Sequence, residues 1–85
     1  MEIEWSAKAQ KAFLGIQRGN PKLAAQIYKA IGKFAKSGTG DIDTVKGSDG
    51  ATRLRVRTYR VVVKREGDTL VIVNVGKRSE IYRDL

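Results

Sequence analysis

The chain has 85 residues, 41% of them hydrophobic, with no cysteine, no histidine and a formal net charge of +8. That length predicts one domain with one core, and the apolar content is too high for a disordered chain. The missing cysteines exclude a disulfide framework, a thiol nucleophile and a thiolate metal site, and no apolar run approaches the roughly 20 residues that span a bilayer. The start, Met1-Glu2-Ile3-Glu4-Trp5, carries neither the basic nor the apolar region of a secretory signal, so a soluble cytoplasmic protein is expected.

Ile3 and Trp5 alternate with Glu2 and Glu4, which predicts a short opening strand. Ser6 is a good N-cap, with Ala9, Ala12, Phe13 and Ile16 at helical spacing behind it. Gly19-Asn20-Pro21 breaks the chain. Asn20 is placed to cap a second helix, with Pro21 in its first position. The apolar stripe of that helix is Leu23, Ala24, Ile27, Tyr28, Ile31 and Phe34, while Lys22, Lys29, Lys33 and Lys36 form a solvated side. Trp5, Phe13, Ile27, Tyr28, Ile31 and Phe34 are expected in the core. Gly38 and Gly40 end the helix, and a polar loop runs from about residue 41 to 50. The period then switches to two, predicting strands at about 52 to 57, 59 to 65 and 69 to 75, with Gly67-Asp68 as a hairpin turn. Gly76 closes the last strand, and a basic tail from Lys77 to Arg83 reads as one helical turn capped by Ser79. The fold class is α+β, in the order β-α-α-β-β-β. Two N-terminal helices pack on one face of a small, mainly antiparallel twisted sheet and leave the other free.

Charge is distributed unevenly along this framework. Residues 51 to 85 carry seven of the eight arginines, whereas residues 1 to 50 carry seven lysines and only Arg18. Strict alternation through Thr52-Arg53-Leu54-Arg55-Val56-Arg57 puts Arg53, Arg55 and Arg57 on one strand face, about 7 Å apart. A row of guanidinium groups repels itself, and its commonest use is to meet phosphates with planar donor forks. Nucleic acid or an acidic protein is the partner such a balance suits. Structural readings stand beside the functional ones. Arg55 can pair with Asp41 or Asp43, Tyr59 can pack in the sheet, and Lys77, Arg78 and Tyr82 can serve the strand end and its packing.

Elimination narrows the chemistry. Without histidine the two-histidine acid–base route of many ribonucleases is closed, and no Asp/Glu cluster has metal-ligand spacing, so neither a metal nor another cofactor is expected. RNA brings its own nucleophile, the 2′-hydroxyl, so a clamp of cations with an aromatic platform suffices to align it and to stabilise charge. Arginine on phosphate with tyrosine on a base is also how single-stranded RNA is generally held.

The element order and four local motifs together resemble the RelE/ParE toxin superfamily of bacterial and archaeal toxin–antitoxin systems. The motifs are Leu54-Arg55 with Tyr59-Arg60 at the start of a valine strand, Val75-Gly76-Lys77-Arg78, Glu80-Ile81-Tyr82, and the loop stretch Val45-Lys46-Gly47. The tail looks more like the RelE branch, whose members cut messenger RNA in the ribosomal A site, than the ParE branch, which poisons DNA gyrase. By that resemblance Arg60 steadies the scissile phosphate, Arg78 protonates the departing 5′ oxygen or stabilises its charge, and Tyr82 stacks on the substrate base. Arg53 aligns with the second of two strand lysines that assist deprotonation of the 2′-hydroxyl, and Ala51 stands where the first would be. Arginine stays protonated above pH 12 and makes a poor general base, so the identity of the base stays open. Arg55, Arg57, Lys77, Lys46 and Arg83 are the further phosphate-binding candidates. The resemblance implies a metal-independent endoribonuclease toxin that inhibits translation and leaves a 2′,3′-cyclic phosphate and a 5′-hydroxyl. Its expected partners are a cognate acidic antitoxin, mRNA and the ribosome with its 16S rRNA, with no membrane. A gyrase inhibitor on the same fold, or an inactive antitoxin-binding homologue, is the alternative.

Overall fold

A computed structural model describes residues 1–42 and 51–83, the last two in backbone only. The chain runs β1 (Glu2–Trp5), α1 (Ala7–Gly19), α2 (Pro21–Ser37), β2 (Thr52–Val56), β3 (Tyr59–Glu66), β4 (Thr69–Lys77) and α3 (Arg78–Arg83). The four strands form one mixed sheet in the order β1-β4-β3-β2, antiparallel except that β1 pairs with β4 in parallel. Parallel neighbours need a long crossover. Here β1 precedes the helical hairpin and β4 follows the two antiparallel strands, so α1 and α2 come to lie on one face.

The apolar periods decide what faces inward. Leu54 and Val56 of β2, Val61 and Val63 of β3, and Leu70, Ile72 and Val75 of β4 are buried against Ala9 of α1 and Leu23, Ile27 and Ile31 of α2. Each fully buried Leu, Ile or Val contributes about 1.5–3 kcal/mol. Trp5, Phe13, Ile16, Phe34 and Tyr59 pack partly buried around this cluster. Tyr28 does not join it and is 63% exposed. It sits one residue past the buried 23-27-31 stripe, about 100° round the helix, and its ring rests on Phe13 at 6.3 Å.

Local chemistry sets the boundaries. Asn20 Oδ1 accepts from the Leu23 amide at 3.2 Å with Pro21 beginning α2, and Gly38 ends it at φ 72°, where a side chain would be strained. Ser6 has two tasks. Its Oγ accepts from the Ala9 amide at 3.0 Å, capping α1, and donates to the Val73 carbonyl at 2.8 Å. Val73 is the extra residue where the β3–β4 register shifts, with Val62 opposite Asn74 and Val63 opposite Ile72. Ser6→Ala removes both bonds, and a loss of about 1–2 kcal/mol is expected. Thermal unfolding should show the midpoint falling by about 5–10 °C for a chain of this size.

Three tail and strand expectations need correction. β4 continues through Gly76 to Lys77, so Gly76 does not close it. Ser79 lies inside α3, which begins at Arg78, so it does not cap that helix. β2 ends at Val56, because Arg57 takes the left-handed conformation at φ 57° and leaves the strand. No helix among the described residues is long and apolar enough to cross a membrane.

Candidate nucleic-acid interface

The site is assembled by the β2–β3 turn and the end of β4. Arg57 and Thr58 form a two-residue turn closed by the Val56–Tyr59 pair. Its carbonyls are the anchor points. Arg60 Nη1 donates to the Arg57 carbonyl at 3.1 Å and to the Tyr59 carbonyl at 2.9 Å, which fixes a guanidinium that is only 6% exposed. The Arg78 amide donates to the Thr58 carbonyl at 2.8 Å, joining the first residue of α3 to the same turn. Pairing completes the convergence, since Arg60 stands opposite Gly76, two residues before Arg78. Gly76 also gives α3 its seat. A Cβ there would lie 3.4 Å from Ile81 Cδ1, and Ile81 is 3% exposed.

Between these elements lies a cleft of about 500 Å³ lined by Arg57, Thr58, Arg60, Lys77, Arg78 and Ser79. Four of the six residues are cations, two carry hydroxyls, and none is acidic. Guanidinium forks and hydroxyl donors around a concave surface are what a phosphodiester requires. Four of the expected site residues therefore meet here: Arg60, Arg78, Arg57 and Lys77.

The expected row of three arginines does not survive as a solvated face. Arg57 turns away with its turn and donates from Nε to Gln26 Oε1 of α2 at 3.0 Å. Arg55 stays exposed on β2 and pairs with Asp41 at 3.5 Å, its amide also donating to the Asp41 carbonyl at 2.7 Å. Both members are solvated, so the ion pair adds little. Arg53 is only 2% exposed, opposite Val62 on the sheet face away from α1 and α2, and its Nε and Nη1 have no hydrogen-bond partner among the described residues. Neither Arg53 nor Arg55 lines the cleft. Tyr82 and Arg83 belong to α3 by backbone, but their side chains lie outside the described residues, as do Lys46 and Asp43.

Two participants were not legible beforehand. Thr58 acts through its carbonyl, which no side-chain pattern reports. Gln26 meets Arg57 across 31 residues of sequence. Among the described residues no cluster of Asp, Glu, His or Cys is placed to hold a metal ion.

Comparison with known proteins agrees with this architecture. Residues 3–82 match the sequence model of the ParE toxin of type II toxin–antitoxin systems, parDE. A search of curated sequences gives no match. Among solved structures, a YoeB/ParE toxin from Agrobacterium tumefaciens superposes with TM-score 0.78 at 18% identity, covering 92% of this chain and 99% of that one. The RelB–RelE antitoxin–toxin complex from Methanococcus jannaschii contains a chain with TM-score 0.67 and 23% identity, covering 96% and 98%. A chain of the YoeB–YefM complex from Staphylococcus aureus matches with TM-score 0.75 and 19% identity, covering 92% and 97%.

Proposed function

The chain belongs to the ParE toxin family of type II toxin–antitoxin systems, and from that premise we propose that it is a metal-independent endoribonuclease that cuts mRNA in the ribosomal A site. The observation that carries this reading is the convergence of Arg57, Arg60, Lys77 and Arg78 on one cleft, with the Arg60 guanidinium held by backbone carbonyls. An inhibitor acting only through surface contact has no need of a buried, fixed guanidinium. A phosphoryl-transfer site does, because charge stabilisation is effective only where the donors are already oriented.

In the proposed reaction the 2′-oxygen attacks the adjacent phosphorus and forms the cyclic diester while the bond from phosphorus to the 5′ oxygen breaks. Arg60, with Arg57 and Lys77, binds the non-bridging oxygens. Arg78 faces the departing 5′ oxygen and stabilises its negative charge until a proton arrives, since a guanidinium gives up its own proton reluctantly. Tyr82 on α3 is assigned to base stacking. The 2′ proton passes to solvent or to a group other than Arg53, whose guanidinium is a poor base. The whole chain acts as one domain in the cytoplasm, where ribosomes are. An acidic antitoxin neutralises it, and binding only the folded toxin stabilises it by mass action. The RelB–RelE and YoeB–YefM complexes of relatives support that partner.

The match to the ParE toxin model favours one other reading: by the resemblance given above, the ParE branch inhibits DNA gyrase. Tightly controlled expression separates the two. The ribonuclease reading expects translation to stop and cut messages to carry 2′,3′-cyclic phosphate and 5′-hydroxyl ends. DNA breaks with intact messages would establish the gyrase reading, and a 5′-phosphate product would rule out the mechanism given above.

A further inference from the structure

We propose that the Arg57–Thr58 turn leads single-stranded RNA out of the arginine cleft into a second subsite, where Lys22, Gln26 and Arg57 bind the phosphate next to the scissile one. This rests on the ribonuclease reading and extends it to a part of the surface contributed by α2.

A second cleft of about 340 Å³ lies on the other side of the turn and shares Arg57 and Thr58 with the first. Lys22, Gln26 and Tyr59 are among its other lining residues, and none of its lining residues is acidic. Its chemistry is that of a donor set. Gln26 Oε1 already accepts from Arg57 Nε at 3.0 Å, so the amide nitrogen of Gln26 and the terminal nitrogens of Arg57 are what remain to be offered. Exposed Lys22, in the first turn of a 17-residue helix, adds an ammonium where the helix dipole also favours an anion. Half-buried Tyr59 supplies an apolar wall. The volume is at the lower end for small-molecule sites and accommodates one nucleotide.

Arg57 itself supplies an independent observation. At φ 57° it occupies a conformation that glycine or asparagine adopts easily and a long side chain rarely does. Its guanidinium stands between two cation-lined clefts and is held there by Gln26. Continuity of the two clefts through that one side chain favours a polymer of evenly spaced charges over an isolated anion.

Oligoadenylates methylated at every 2′-oxygen are bound without being cut, because the nucleophile is blocked. Wild type should bind the six-nucleotide oligomer about tenfold more tightly than the two-nucleotide one. Lys22→Ala and Gln26→Ala should each remove that advantage, with a lost charge-assisted contact accounting for about tenfold. Lys22→Ala should also flatten the log–log salt dependence of six-nucleotide binding by about 0.7. Arg57→Gly relieves the turn while deleting the side chain, so its unfolding midpoint should hold or rise as its affinity for the longer oligomer falls. Unchanged six-nucleotide binding in Lys22→Ala and Gln26→Ala overturns the subsite and leaves the arginine cleft untouched. If those variants lose oligoglutamate binding and keep the six-nucleotide oligomer, the cleft takes an acidic peptide and the RNA subsite is likewise overturned. If wild type binds neither oligomer, the ribonuclease reading fails and the subsite fails with it.

Discussion

Replacing Arg78 by alanine is expected to slow RNA cleavage about a hundred- to a thousand-fold, while thermal unfolding shifts by no more than an exposed surface substitution produces. Arg78 is exposed, and its backbone amide donates to the Thr58 carbonyl of the β2–β3 turn, a bond that alanine retains. Helix α3 keeps its seat through Ile81 on Gly76. What alanine removes is the guanidinium at the rim of the cleft, where the proposed reaction would develop charge on the departing oxygen. Arg78→Lys should recover part of the rate, since it restores a point charge without the planar fork. The cell gives the same readout: growth should continue when Arg78→Ala is induced and stop when wild type is. Full activity in a purified, folded Arg78→Ala protein would remove Arg78 from the chemistry.

Arg60 makes a poorer probe. Its Nη1 holds the carbonyls of Arg57 and Tyr59, so truncation disturbs the turn as well as the cleft. Loss of activity in Arg60→Ala would therefore mix folding with catalysis. Comparing the two arginines is informative for that reason: Arg60 is 6% exposed and bonded to the turn's carbonyls through its side chain, whereas Arg78 is exposed and bonded to the turn through its backbone amide.

The difference in legibility follows the same division. The element order was readable because Ser6, Asn20-Pro21 and Gly67 mark boundaries through local chemistry, and because the period changes from helical to two near residue 52. Arg60 and Arg78 were paired in the sequence only through the family resemblance, and the register that sets Arg60 opposite Gly76 belongs to the structure. What failed was continuation of a pattern past its physical end. Alternation runs through Arg57, yet the chain must reverse between Val56 and Tyr59, and no Gly or Asn signals it. Tyr28 stays outside the core because the six-residue apolar stripe of α2 reaches beyond the arc that is covered. Period two assigned Arg53 a face correctly but contains no information about whether that face is covered. Contacts across the fold, such as Gln26 with Arg57, leave no local trace.

Arg53→Met is expected to stabilise the protein by about 2 kcal/mol and to weaken RNA binding at the same time. A guanidinium keeps its charge at any pH a folded protein meets. At 2% exposure Arg53 has lost its hydration, and Nε and Nη1 gain no hydrogen bond in exchange. By register Arg55, Arg60 and Lys64 share its sheet face, with Glu66 at the far end of β3 as an acidic member, and Asp41 is already engaged by Arg55. Desolvating an ion whose Nε and Nη1 go unsatisfied costs energy, whereas methionine of similar length fills the space with no charge to dehydrate. For 85 residues the gain should appear as an unfolding midpoint about 10 °C higher. An anion bound on this face would offset that cost, so on the proposed RNA-binding reading the same substitution should lower affinity for RNA, with the deficit shrinking as salt is added. Arg53→Lys discriminates further, because a buried ammonium can shed its proton and then serve as the base that the guanidinium cannot be. A stability loss of about 1 kcal/mol or more in Arg53→Met would mean that the guanidinium is satisfied in the free protein, and the trade-off between stability and binding would go with it.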